Sequence, residues 1–242
     1  MKIQEYTEKL IEIINDALKL NHYVRSIDLQ KQKVEELKTY LDALHKNKYE
    51  AKVRQAPEEY VNIFFHFQCV INSIISSLQM WIYLKEEKNI EAWRKLQDAI
   101  DYLYYSKQVE NKIRGIKTLE TFLKNCEKTL FPVFPLYNSI GLFVKGGECS
   151  ICRKPIEYCE HIEGKLYYGT ICKRVNIKDI SINHVAMVKN PEDKRCIITQ
   201  IEEKDGKMHD YMTLLPTRDK PAEYTNKTIE GIIYSYSNLD IF

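Results

Sequence analysis

Through the first half of the chain, apolar residues recur at intervals of three and four. Ile3, Tyr6, Leu10, Ile13, Ile14, Ala17 and Leu18 form one helical stripe; Val34, Leu37, Tyr40, Leu41 and Leu44 form a second. Pro57 opens a third, longer helix, where its missing N–H costs nothing. Glu58 and Glu59 follow on the positive end of the helix dipole. That helix is apolar almost all round, from Val61, Phe64, Phe65 and Phe67 through Ile71, Ile74 and Leu78 to Met80 and Trp81. It is therefore predicted to be enclosed by other helices. Asn89 is the predicted N-cap of a fourth helix, with Ala92, Trp93, Leu96, Ile100, Leu103 and Tyr104 inward. A fifth carries Ile113, Ile116, Leu119, Phe122, Leu123, Cys126 and Leu130. It ends at Phe131-Pro132-Val133-Phe134-Pro135, because neither proline can donate to a helix ladder.

After Pro135 the period becomes two, and β-branched and aromatic residues gather in short runs. Strands are predicted at Leu136–Val144, Leu166–Tyr168, Ile171–Ile177, Ile182–Lys189, Cys196–Glu202, Met208–Leu215 and Ile229–Tyr236, with Asp205-Gly206 as a hairpin turn. The fold class is α+β: an N-terminal antiparallel helical bundle over 1–135, then a small, mostly antiparallel β domain over 136–242 with a zinc-binding loop.

Composition narrows the function classes. At 242 residues, 44% hydrophobic and 29% charged, the chain is globular rather than disordered. With 36 basic against 34 acidic residues the net charge is +2, so no global field draws it to nucleic acid or anionic lipid. Met1 to Leu20 is charged and amphipathic, without the apolar core of a signal peptide. The long apolar run Tyr60 to Leu84 carries Asn62, His66, Gln68, Asn72 and Gln79. These are costly in hydrocarbon, so the run reads as a buried core helix. Cys69 and Cys126 stand alone in helical text, a pattern that suits a reducing cytoplasm better than a disulfide scaffold.

The strongest chemical signal is Cys149, Cys152, Cys159 and His161, spaced C-x2-C-x6-C-x-H. Three thiolates and an imidazole complete a closed tetrahedral zinc site, and no H-x-E or H-E-x-x-H arrangement accompanies them. The expected cofactor is structural Zn2+, with Cys172 as a spare able to replace His161. Arg153, Lys154, Lys165, Lys173 and Arg174, interleaved with Tyr158, Tyr167 and Tyr168, offer phosphate contacts and stacking to a nucleic acid. Glu148, Glu157, Glu160 and Glu163 oppose that field. Ser139 is the one serine considered as a nucleophile, with His184 as its potential base. By pleat parity His184 shares a face with Ile180, Ile182, Ala186 and Val188. It reads as a hydrogen-bonded core residue, as does His66, while His22, His45 and His209 are expected at the surface. Cys69, Cys126 and Cys196 read as small buried hydrophobes.

Several stretches together resemble a known module: Ser139-Ile140-Gly141, Cys149-Ser150-Ile151-Cys152, Cys159-Glu160-His161-Ile162-Glu163-Gly164, Tyr167-Tyr168-Gly169, Cys172, His184 to Val188, and Asn190-Pro191. It is a strand–Cys/His loop–strand module of uncharacterised bacterial proteins and of some phage proteins related to prohead proteases. Leu78 to Lys85 with Ala92-Trp93 also resembles the helical half of the bacterial group. The resemblance implies zinc on Cys149, Cys152, Cys159 and His161, turns at Gly164 and Gly169, and Ser139 in the position of the protease nucleophile. It departs in the base. Those proteases carry a catalytic histidine on a strand before the serine, whereas His22, His45 and His66 lie in helical text here. The favoured expectation is a non-enzymatic cytoplasmic adaptor, linked to phage biology or anti-phage defence, whose partner is another protein or a second copy. A nucleic-acid-binding zinc knuckle and a prohead-protease-like serine hydrolase are the alternatives.

Overall fold

The structure, a computed structural model, describes residues 3–22, 24–109, 116–220, 225–235 and 239. The protein is α+β, with five helices in its N-terminal half followed by small antiparallel sheets. Helices α1 (Ile3–His22), α2 (Ile27–Val53), α3 (Glu58–Lys85) and α4 (Asn89–Ser106) are joined by short turns, and α1, α2 and α4 all pack on α3. This is what the all-round apolar text of α3 requires: Phe65, Phe67, Ile71, Ile74 and Leu78 are all fully or almost fully buried. By length and composition α3 is apolar enough to cross a membrane, yet 89% of its most apolar stretch is buried inside the protein. Its polar side chains are partly absorbed locally. Ser73 donates to the Ala99 carbonyl at 2.8 Å, and His66 Nδ1 lies 2.9 Å from the Ser106 carbonyl.

The helix ends differ from expectation by single residues. Pro57 is the N-cap of α3 rather than its first helical residue, and its carbonyl accepts from the Tyr60 N–H at 2.9 Å. Lys88 is the N-cap of α4, without a side-chain capping hydrogen bond, so Asn89 is already the first helical residue. Ser26 caps α2 by accepting from the Leu29 N–H. The fifth helix, α5, spans Ile116–Leu130; Ile113 lies outside the described residues.

Residue contacts divide the chain into two compact units, and the division differs from a single cut at Pro135. Among the described residues, 146–177, which carry the cysteine cluster, belong with the helices up to 125 and with Leu239; 126–145 and 178–235 fall in the second unit. The reason is a set of long-range hydrogen bonds between the cysteine segment and the bundle, described below, which no local pattern announces.

In the helical unit the cysteine segment folds as two short ladders and a turn: β2 (Glu148–Cys149) with β5 (Arg174–Val175), β3 (Leu166–Tyr167) with β4 (Thr170–Ile171), and a 3-10 turn at Ile156–Tyr158. The predicted strand Ile171–Ile177 is thus broken, because the Cys172 and Lys173 backbone bonds to the loop rather than to a partner strand. The Cys172 N–H donates to Lys165 O, and the Lys173 carbonyl accepts from Ser150 N–H.

The second unit holds two sheets. β1 (Tyr137–Lys145) pairs antiparallel with β6 (Asp179–Val188) as a two-stranded ribbon. The other sheet has the order β10 (Ile229–Gly231), β7 (Ile198–Glu202), β8 (Lys207–Asp210), β9 (Pro216–Asp219). Asp205-Gly206 lies in the β7–β8 connection, as the sequence indicates, with Gly206 at φ +76°. The predicted strand Met208–Leu215 splits because Asp210 caps a turn, accepting from the Met212 and Thr213 N–H groups. Tyr236, the predicted end of the last strand, lies outside the described residues.

Candidate metal centre

The centre is built from a knuckle, a loop and a hairpin. At the knuckle Cys149-Ser150-Ile151-Cys152-Arg153 the chain reverses. Arg153 N–H donates to Cys149 O at 2.9 Å, Ile151 N–H donates to Cys149 Sγ at 3.4 Å, and Arg153 adopts φ +61°. The loop brings Cys159 and His161 back, with the His161 N–H donating to Cys159 Sγ at 3.2 Å. The ring of His161 stands edge-on against Tyr167 of β3, centroids 4.6 Å apart, and the Tyr167 hydroxyl accepts from the Ile162 N–H.

One donor atom from each of Cys149, Cys152, Cys159 and His161 lies within 4.8 Å of all the others, which makes a three-cysteine, one-histidine group able to hold a metal ion. Three of the six edges can be compared with those of one tetrahedron. An ion about 2.3 Å from sulfur and about 2.0 Å from nitrogen sets S···S near about 3.8 Å and S···N near about 3.5 Å. Observed are 3.5 Å for Cys152 Sγ to Cys159 Sγ, 3.8 Å for Cys149 Sγ to His161 Nδ1, and 3.3 Å for Cys159 Sγ to His161 Nδ1. Cys172 Sγ stands outside this mutually close set and touches it through Cys149 Sγ, 3.6 Å away. Burial works against a Cys149 thiolate, but N–H groups of Cys152 and Ile151 and the neighbouring thiols outweigh it and bring its pKa down to about 6. Of the nearby carboxylates, Glu163 accepts from the Arg174 N–H, while Glu157 and Glu160 are exposed to solvent.

What fixes the centre in place is the β3–β4 hairpin. Tyr168 and Gly169 form its two-residue turn, at φ +46° and +72°, and that turn is keyed between α2 and α3. Tyr168 N–H donates to Glu58 Oε1 at 2.8 Å, Tyr168 OH to Ala56 O at 2.6 Å, and Gly169 N–H to Asn62 Oδ1 at 2.6 Å. Lys48 and Lys52 reach Gly169 O and Thr170 Oγ1 from α2. From the end of α4, Gln108 donates to Gly164 O and accepts from Leu166 N–H. Ile171 of the hairpin completes a buried cluster with Phe65, Cys69 and Tyr102 of the helices. Sequence reasoning misses these anchors; the one available signal is the turn dipeptide Tyr168-Gly169 between two apolar runs.

The basic and aromatic residues around the cluster are divided. Arg153, Lys154 and Tyr158 are exposed. Lys173 and Arg174 are half-buried; burial lowers the Lys173 pKa, and the Arg174 stem packs over Gly147. Tyr167 and Tyr168 are engaged with His161 and the bundle.

Ser139 and His184 lie in the other unit, on the ribbon. Ser139 pairs with Ala186 and His184 with Gly141, so both point to one face of the ribbon, and the imidazole lies over the Cα of Gly141. No hydrogen bond joins them among the described residues. Ser139 borders a cavity of about 260 Å³ whose other walls include Glu192, Asp193, Cys196 and Tyr234 and, among the described residues, no histidine. His184 is exposed and not a core residue. Its expected parity with Ile180 and Ile182 is broken by a bulge at Asn183, since Gly141 pairs with His184 but Leu142 with Ile182. Two other histidines are less exposed than expected: His45 is half-buried, and His209 is bound by Asp205 at 3.0 Å and Leu214 O at 3.1 Å. The isolated cysteines Cys69, Cys126 and Cys196 are buried, and burial pushes the Cys126 thiol up to about 11.

Compared with protein-family models, with curated proteins and with solved structures, the chain finds no match.

Proposed function

We propose that this protein is a zinc-stabilised, non-enzymatic interaction protein of the cytoplasm. The observation that carries the reading is the cluster of three cysteines and one histidine. Four donors at tetrahedral spacing satisfy a Zn2+ ion and leave no position for substrate, and three sulfurs with one imidazole favour zinc over harder ions. Seven cysteines, none paired in a disulfide, agree with a reducing compartment. Among the described residues Ser139 lacks a base within hydrogen-bond reach, which weakens the hydrolase alternative. The engagement of Tyr167, Tyr168, Lys173 and Arg174 in the fold weakens the nucleic-acid alternative.

Support for an interaction role comes from the ribbon. The bulge at Asn183 restores parity so that Ile180, Ile182, Val185 and Met187 of β6 share one face with Ile140, Leu142 and Val144 of β1. All four β6 residues are about half exposed or more. A two-stranded ribbon is marginal alone, and this face offers apolar area to another protein or to a second copy.

The test is metal content by elemental analysis, combined with native affinity capture by the wild-type chain and by Ile182→Glu. One zinc per chain is expected, with a stoichiometric partner or second copy held by wild type and released by the variant. A metal-free or strictly solitary wild-type protein, or Ser139-dependent labelling by a fluorophosphonate, would overturn the proposal.

A further inference from the structure

We propose that Cys172 is a fifth donor of the metal centre, able to take the place of His161, so that one ion has both a three-thiolate and a four-thiolate ligand set. The inference rests on the metal-stabilised reading above. Cys172 Sγ lies 3.6 Å from Cys149 Sγ, slightly nearer than the 3.8 Å that separates Cys149 Sγ from His161 Nδ1. Both side chains are thus direct neighbours of the Cys149 sulfur, although Cys172 lies outside the group of four mutually close donors.

The two competitors are held differently. Cys172 is fully buried, and both of its backbone groups are bonded at the base of the hairpin. Its N–H donates to Lys165 O and its carbonyl accepts from Gly164 N–H, each at 2.8 Å. That hairpin is in turn keyed into α2 and α3 through Tyr168 and Gly169. His161 sits on the loop from Cys159 to Gly164, between exposed Glu160 and Ile162. Its side-chain support is the edge of Tyr167 and the sulfurs themselves. The fixed donor is thus the spare and the looser donor is the ligand, so displacement of the loop leaves a thiol in place to retain the ion. With an ion bound, exchange would replace a metal–nitrogen bond to His161 by a metal–sulfur bond to Cys172, whose thiol proton would pass to water. The site charge changes from −1, for a divalent ion with three thiolates and a neutral imidazole, to −2 with four thiolates.

The experiment is Co2+ titration of the full chain followed by absorption, for wild type, His161→Ala, Cys172→Ser and the double variant. Wild type and Cys172→Ser are expected to bind one equivalent with the same three-thiolate charge-transfer intensity. His161→Ala is expected to bind one equivalent within about 10-fold of wild-type affinity, with intensity raised to that of four thiolates. The double variant should lose a further 100-fold or so. Equal loss in His161→Ala and the double variant, or a three-thiolate spectrum in His161→Ala, would overturn the fifth-donor inference alone. Failure of wild type to take up Co2+ would overturn the metal reading beneath it. If His161→Ala does not fold, His161→Gln replaces it. A four-thiolate Co2+ spectrum in that variant upholds the inference, and a three-thiolate spectrum refutes it.

Discussion

Replacing Gly169 by alanine tests how the cysteine segment is joined to the bundle. At φ +72° an L residue costs about 1–2 kcal/mol in backbone strain. The added Cβ would also meet Val61 Cγ1 at 2.8 Å, Lys48 Cδ at 3.3 Å and Val61 O at 3.3 Å. Val61 is fully buried in α3, and its carbonyl belongs to the helix, so neither yields cheaply; overpacking of this kind costs about 1–3 kcal/mol. The sum is about 2–5 kcal/mol, a large share of the roughly 5–15 kcal/mol that holds a domain folded. Gly164 supplies the control. It has φ +81° but nothing within 4 Å of an added methyl, so Gly164→Ala carries only the strain of about 1–2 kcal/mol. Both tryptophans lie in the helical unit, Trp81 on α3 and the buried Trp93 on α4. Urea unfolding followed by their fluorescence reports the unit directly, and the midpoint should fall much further for Gly169→Ala than for Gly164→Ala. Equal losses would refute the claim that the hairpin turn is seated against α2 and α3.

Two further outcomes are expected. Arg153 holds φ +61° at the knuckle, so Arg153→Gly should raise stability by up to about 1 kcal/mol without changing metal affinity; a loss of metal in that variant would mean that the side chain itself supports the site. Burial holds the His66 imidazole below its ordinary 6.5, against the opposing bond to Ser106 O. Between the folded and unfolded pKa values the unfolded chain binds more protons, so stability from this group is full above about 6.5 and declines as pH falls towards the folded value. An NMR titration showing His66 protonated at or above 6.5 would contradict its place in the core.

The helical half is legible in the sequence because each helix announces its buried face by spacing, and α3, with no polar face, could only be central. The Cys/His cluster is equally legible, since its four potential donors lie within thirteen consecutive residues. Three things are not. The hairpin joins partners about 110 positions apart, such as Tyr168 and Glu58, and such pairings leave no periodic trace. The bulge at Asn183 reverses side-chain parity within a strand whose residue types look regular, which is why pattern alone puts His184 on the wrong face. The short strands β2 to β5 are two residues long and follow from the knuckle and turn, not from strand propensity.

The most direct measurement compares the tryptophan-reported unfolding curve of zinc-loaded protein with that of the same protein after chelation. Because the cysteine segment is bonded into the bundle, removal of the ion should weaken the helices as well as the loop. About 4 kcal/mol is expected where free metal stands a thousandfold above its dissociation constant. Superimposable curves would contradict a metal centre that helps to hold the helical unit together.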